Sequence, residues 1–162
     1  MTYTCACCDE VHDDLPDLSF DRPSYAADVP DDEFEARVKL NEDLCVVDDE
    51  FYFIRGVLKI PIHENEQDLG FGVWVSQKKE NFETNLENYD TPDIGPFFGW
   101  LSNEFKFKGE PTLSLKTMAH FQGYGQRPLI ELDESDHPLS VAQRNGISLD
   151  EAWKIVHEYL GR

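Results

Sequence analysis

Between Leu44 and Ser76 three β-forming runs follow one another on short connections, and a chain written this way has to build a sheet. Leu44-Cys45-Val46-Val47 leads into the turn-forming Asp48-Asp49-Glu50, and then into the long run from Phe51 to Ile62. This predicts a hairpin, with Gly56 as the bulge or kink of its second arm. Phe71-Gly72-Val73-Trp74-Val75-Ser76 supplies a third strand, and consecutive strands on short connections favour antiparallel pairing. Further strands are predicted over 112–119 and 128–132.

Helical signals surround these runs. Asp31, Asp32 and Glu33 suit the positive end of a helix dipole while Phe34 and Val38 share one face, which predicts a helix over 31–41. A short helix is read over 78–86, and another from Pro138 to the stop signal Asn145-Gly146. Ser148-Leu149-Asp150-Glu151 has capping-box spacing, and Ala152, Ile155, Val156, Tyr159 and Leu160 repeat at helical intervals, so a last helix is expected with Gly161 closing it. The expected fold class is α+β: a central antiparallel sheet, flanking helices and an N-terminal Cys/His segment resembling a zinc knuckle. One domain is expected over 1–162, with the knuckle in 1–12, an irregular acidic connection in 13–33 punctuated by Pro16, Pro23 and Pro30, and the α+β core in 34–162. The aromatic run Pro96-Phe97-Phe98-Gly99-Trp100-Leu101 reads as an exposed recognition loop or as a core plug between strands, and core is favoured for it, as for Trp74 and Trp153, because large aromatics usually supply buried area.

Metal-ligand spacing occurs locally in Cys5-Ala6-Cys7-Cys8-Asp9-Glu10-Val11-His12. Cys5 and Cys8 can chelate one Zn²⁺ in a tight turn, and the imidazole of His12 reaches the same ion. A tetrahedral structural site needs a fourth ligand. Cys45, the one cysteine outside the cluster, is expected to supply it, with His137 the alternative. Redox chemistry at the same cysteines is disfavoured, since Asp9 and Glu10 raise a thiol pKa that such chemistry needs lowered. Ser135-Asp136-His137-Pro138 reads as a helix N-cap contributed by Asp136 or Ser135, not as a catalytic pairing, because triads are assembled from distant segments. Gly70-Phe71-Gly72 and Gly123-Tyr124-Gly125 lack the setting of a phosphate loop, and His63-Glu64-Asn65-Glu66 lacks the second histidine of a zincin.

The 33 acidic and 14 basic side chains give a net charge of −19, which disfavours nucleic acid and anionic membrane as partners. Residues 1–50 hold 16 acidic side chains against 3 basic, residues 51–162 hold 17 against 11, so the first third is the negative pole. No apolar run approaches the ~18 residues of a membrane span, and Met1-Thr2-Tyr3-Thr4-Cys5 lacks the features of a signal peptide. A cytoplasmic protein is expected.

Cys5-x-x-Cys8-x-x-x-His12, Asp43-Leu44-Cys45, Phe53-Ile54-Arg55-Gly56, Gly72-Val73-Trp74-Val75-Ser76, Gly99-Trp100-Leu101, Arg127-Pro128 and Asp136-His137-Pro138-Leu139 occur in this order. Together they make the chain resemble the bacterial domain-of-unknown-function family two-one-nine-nine. The resemblance implies a bacterial, cytosolic, single-domain protein in which those positions matter.

Binding is expected over catalysis. Strong acidity speeds association with a basic protein, as in an immunity-type inhibitor of a basic toxin or effector, while the motifs supply no nucleophile and base. The competing readings are a zinc-dependent hydrolase or transferase with an open site at Cys5, Cys8 and His12, and a zinc-stabilised regulatory module.

Overall fold

The computed structural model describes residues 3–4, 11–12, 18–63, 67–87, 94–123 and 126–160, the first two segments and residue 160 by backbone alone. In chain order the elements are β1 (Tyr3–Thr4), β2 (Val11–His12), β3 (Leu18–Ser19), α1 (Ser24–Ala27), α2 (Asp31–Arg37), β4 (Val38–Leu40), β5 (Leu44–Val47), β6 (Phe51–Ile60), β7 (Leu69–Gln77) and α3 (Lys79–Glu87). There follow β8 (Phe97–Trp100), β9 (Lys106–Phe107), β10 (Glu110–Pro111), β11 (Lys116–His120), β12 (Leu129–Leu132), α4 (Pro138–Asn145) and α5 (Leu149–Leu160). The result is a mixed α+β fold with a large central sheet.

The predicted hairpin forms, with Cys45 opposite Phe53 and Val47 opposite Phe51. Asp48 and Asp49 turn it in left-handed conformations, at φ 56° and 52°. Two cations, Arg37 at the end of α2 and Lys39 in β4, brace that turn: Arg37 Nε donates to Asp48 Oδ1 at 2.8 Å, and Lys39 Nζ to Asp49 Oδ1 at 3.1 Å. The hydrogen bond from Arg37 holds the Asp48 carboxyl below its usual pKa. Those braces exist because the helix predicted over 31–41 stops at Arg37. Val38, Lys39 and Leu40 pair instead with Val47, Val46 and Cys45, burying Val38 in a β ladder that a continued helix would forgo.

β6 and β7 pair without interruption from Tyr52–Gln77 to Ile60–Leu69, so Gly56 is no bulge. It is a point of close approach: a Cβ there would lie 2.5 Å from Ile130 Cδ1 and 2.9 Å from the Pro128 carbonyl. The other edge of β6 is shared, by β5 along Phe51–Ile54 and by β12 at Val57. The strand order is β3-β7-β6-β12-β11-β8, and the β6–β12 and β3–β7 pairs are parallel. The expected all-antiparallel sheet is therefore corrected to a mixed one. Short connections favour antiparallel pairing only between neighbours in sequence, whereas β6 and β12 are joined by a long excursion through other elements.

Beyond β8 the chain returns to β7: Leu101 bridges to Val75, and Ser102 N–H donates to the Trp74 carbonyl at 2.8 Å. The sheet thereby curls back upon itself. Gly99 permits this, since a side chain at that position would collide with the Ser76 carbonyl. The main core is enclosed by the curl, with Ile54, Leu58, Phe71, Val73, Val75, Leu101 and Ile130 meeting Leu139 of α4 and Trp153 and Val156 of α5. A smaller cluster, Ala26, Val29, Val38, Cys45, Val47, Phe53 and Trp74, occupies the outer face. Trp74 and Trp153 are buried as the sequence suggested, but Phe98 and Trp100 are 38% and 44% exposed. Alternation along β8 turns them outward while Leu101 goes in.

The helix over residues 138–145 begins as predicted, though its cap is His137. The imidazole Nδ1 accepts from Leu139 N–H at 3.1 Å and Nε2 meets the Pro111 carbonyl at 2.8 Å, while Ser135 Oγ accepts from His137 N–H at 3.2 Å. Ser148 Oγ likewise accepts from Glu151 N–H at the start of α5. The strand predicted over 112–119 starts only at Lys116, after a left-handed Ser114 at φ 66°.

Past Val57–Leu129, an uninterrupted parallel ladder would next join Lys59 to the Ile130 carbonyl and the Leu132 N–H. Gln143 of α4 takes both β12 groups instead: its Nε2 donates to Ile130 O at 2.8 Å and its Oε1 accepts from Leu132 N–H at 2.8 Å. One side chain thus ends the ladder and ties α4 to the strand. We expect Gln143→Leu, which keeps the bulk and strands both backbone groups, to lower unfolding free energy by about 1–3 kcal/mol in urea denaturation. Cys45 gives a second test. Burial against Phe53 and Trp74 pushes its thiol up to about 11, so in the native protein at pH 8 it should resist iodoacetamide, and peptide mass spectrometry should find it alkylated only after denaturation.

Candidate functional site

Segment 20–24 is bound to residues 102–104 and to Trp74 by a set of hydrogen bonds centred on the buried Asn103. Asn103, 2% exposed, accepts from Trp74 N–H at 2.7 Å and donates to the Arg22 carbonyl at 2.9 Å. Ser24 N–H donates to Ser102 O, Ser24 Oγ accepts from Glu104 N–H, and the Trp74 indole donates to the Phe20 carbonyl, each at 2.8 Å. These bonds seat α1 on the outer face of the sheet. Tyr25, carried by α1, then lies with its ring centroid 4.6 Å from that of Phe51 and 6.4 Å from that of Phe53.

Between α1, the start of β6 and the end of β8 runs a groove of about 530 Å³. Its apolar walls are Tyr25, Phe51, Phe53, Trp100, Leu101 and Leu113, and the carboxylates Asp28 and Glu104 line it as well. Tyr25, Trp100 and Leu113 are each close to 45% exposed, a concentration of solvent-facing apolar surface that demands a reason. Two of the hydroxyls in the groove serve the backbone of Trp100: Ser76 Oγ accepts from Trp100 N–H at 3.0 Å and Ser102 Oγ donates to the Trp100 carbonyl at 2.8 Å. Trp100 is held by both, and it also walls an adjoining cavity of about 370 Å³.

A larger cleft of about 600 Å³ opens where β6 and β12 part, lined by Lys59, His120, Glu131, Glu134 and Arg144 among others. Two of its carboxylates are already engaged: Glu131 Oε1 lies 3.0 Å from His120 Nε2, and Glu134 Oε1 lies 3.3 Å from Arg144 Nη1. The groove, by contrast, has aromatic walls and carboxylates of one sign. It is the better candidate for recognition.

The sequence-predicted metal ligands fare unequally. Cys5 and Cys8 lie outside the described residues. His12 stands in β2, its backbone paired with Tyr3. Cys45 is fully buried in the outer apolar cluster, a setting that disfavours the thiolate a metal requires. His137 has both ring nitrogens engaged, by Leu139 N–H and the Pro111 carbonyl. Among the described residues no group of three or more His, Cys, Asp or Glu side chains is placed to hold a metal ion. Sequence reasoning favoured the core for Trp100, whose ring stands exposed in the groove instead. It missed Tyr25, Asp28, Glu104 and Leu113, whose proximity depends on the packing of α1.

Among the described residues, several of the motifs that carried the family resemblance meet at the joints of the fold. Arg55 N–H donates to the Asp43 carbonyl at 2.9 Å, Arg127 Nε donates to Asp43 Oδ1 at 2.7 Å, and Gly56 abuts the Pro128 carbonyl. Gly99-Trp100-Leu101 meets Val75 and Ser76 where the sheet closes. Among the described residues no helix is long and apolar enough to cross a membrane. The family model described as an uncharacterized protein conserved in bacteria, DUF2199, matches residues 4–147, and the chain belongs to that family. No curated protein and no solved structure matches it.

Proposed function

We propose that this protein acts by stoichiometric binding of a basic protein, in the manner of an immunity-type inhibitor of a basic toxin or effector. The observation that carries this reading is the position of the exposed aromatic groove. Tyr25, Asp28, Phe51 and Phe53 belong to or adjoin the acidic first third of the chain, so apolar anchors and a concentrated negative field act on the same approaching surface. Long-range attraction of this kind raises the association rate, and buried aromatic anchors then hold the complex. Catalysis has less support: the hydroxyls of Ser24, Ser76 and Ser102 bond to backbone groups, and His63 and His137 pin loops through the Asn145 and Pro111 carbonyls.

Native lysate passed over the immobilised protein at low salt should yield a basic partner that elutes as salt rises. With that partner in hand, neutralising Asp31, Asp32 and Glu33 to Asn, Asn and Gln should slow association by about tenfold or less and flatten its salt dependence, with little change in dissociation. A partner whose association rate ignores both salt and these substitutions would refute the electrostatic reading.

Structural zinc on Cys5, Cys8 and His12 is part of the same proposal, and rests on ligand type and spacing. Protein produced in ample zinc without chelator should hold about one zinc per chain by elemental analysis, and Cys8→Ser should release it. Metal-free protein prepared in this way would remove zinc from the proposal.

A further inference from the structure

We infer that the groove between α1 and β8 is a seat for an arginine-bearing segment of the basic partner; this rests on the binding function proposed above and names the group that the partner contributes. The aromatic residues Tyr25, Phe51, Phe53 and Trp100 wall the groove, and ring faces carry the negative end of a quadrupole that attracts a cation. Asp28 and Glu104 line the same space, and no Lys, Arg or His among the described residues does. Several carboxylates elsewhere in the fold are matched by cations, among them Asp43 by Arg127, Asp48 by Arg37, Glu134 by Arg144 and Glu151 by Lys108. Neither groove carboxylate has an ion pair among the described residues. The site therefore presents unneutralised negative charge beside exposed aromatic faces.

A guanidinium satisfies both features at once, because it stacks flat on a ring while its in-plane N–H groups donate to carboxylates. A compact ammonium does so less well, having no plane to stack. A second copy of this chain is disfavoured as the occupant, since two molecules of charge −19 repel each other. A segment suits the shape better than an isolated small cation. Trp100 walls both this groove and the adjoining cavity of about 370 Å³, and Phe98 packs against its edge with ring centroids 5.1 Å apart. A chain crossing Trp100 can thus occupy both hollows, with Leu113 and Phe51 taking its apolar side chains.

The test is a titration of the full chain with a capped leucine–arginine tetrapeptide and with its citrulline analogue, which keeps the shape and removes the charge. The indole N–H of Trp100 is followed by NMR, its signal identified with Trp100→Phe. The arginine peptide should shift that signal and bind about tenfold more tightly than the citrulline peptide, and Asp28→Asn with Glu104→Gln should erase most of the difference. Equal affinity of the two peptides, or no shift at Trp100, overturns the seat. Free arginine amide binding as tightly as the tetrapeptide also overturns it, in favour of a small guanidinium ligand. If the arginine peptide fails while the captured basic protein still responds to neutralisation of Asp31, Asp32 and Glu33, the groove inference falls and the proposed function stands. If the peptide binds at Trp100 as expected while the captured protein ignores those substitutions, the electrostatic function falls and the arginine seat remains.

Discussion

Strand β6 has to satisfy three partners with two edges, and the rest of the fold is arranged around that demand. One edge is committed to β7 along its length. The other is divided, with β5 on its first half and β12 beginning at Val57. At the division the backbone of β6 would be left without partners, and the chain closes the gap from both sides: Arg55 N–H reaches the Asp43 carbonyl and Val57 N–H reaches the Pro128 carbonyl, each at 2.9 Å. The Asp43–Arg127 ion pair fastens the two arms of the fork together. Arg55 is caught inside it, with Nη1 on the Glu42 carbonyl and its side chain near the Trp74 ring. Burial, and then the neighbouring Arg127, lower its pKa, which marks the fork as a place where charge is kept at some cost to hold backbone groups in register.

The same division explains why the outer face of the sheet carries a second core. With β5 and β4 folded beside the first half of β6, Phe53, Cys45, Val47 and Val38 make an apolar surface that α1 and Trp74 complete. α1 is only Ser24–Ala27, too short to be stable alone, and holds its place through Ser24 and the Asn103 network. The groove is the margin of that small core where coverage ends. Tyr25 and Trp100 are exposed because nothing in the described fold extends over them, and the protein's large net charge offsets the tendency of such surface to self-associate.

Local structure was legible in the sequence wherever period and punctuation agreed. The β5–β6 hairpin, β7, α3 and the two C-terminal helices follow from alternation, turn residues and caps within a few positions of one another. What escaped depends on contacts distant in sequence. Gly56 looked like a kink because the sequence does not show that Ile130 will press against it. Val38-Lys39-Leu40 continued a plausible helical face, and only the presence of β5 makes the strand more favourable. Gln143 carried no signal, since an amide on a short helix is ordinary until a strand offers it two backbone groups. Trp100 was assigned to the core by residue type, and its strand position turns it outward.

The resemblance and the candidate site therefore inform different levels of the molecule. Asp43, Arg55, Gly56, Arg127 and His137 sit where strands fork or a helix is capped, so a chain that keeps those residues keeps the architecture. Tyr25, Asp28, Glu104 and Leu113 fall outside every motif that carried the resemblance, although they line the groove. Phe53, Ser76, Leu101 and Trp100 belong to both sets, and of these four the exposed one is Trp100. Its backbone takes part in closing the sheet, through Ser76 and Ser102, while its ring faces solvent. Closing the sheet at this point consequently fixes where the indole stands. For the binding proposed above, an indole held through its backbone by Ser76 and Ser102 is placed before any partner arrives, and such pre-placement limits the entropy lost on association.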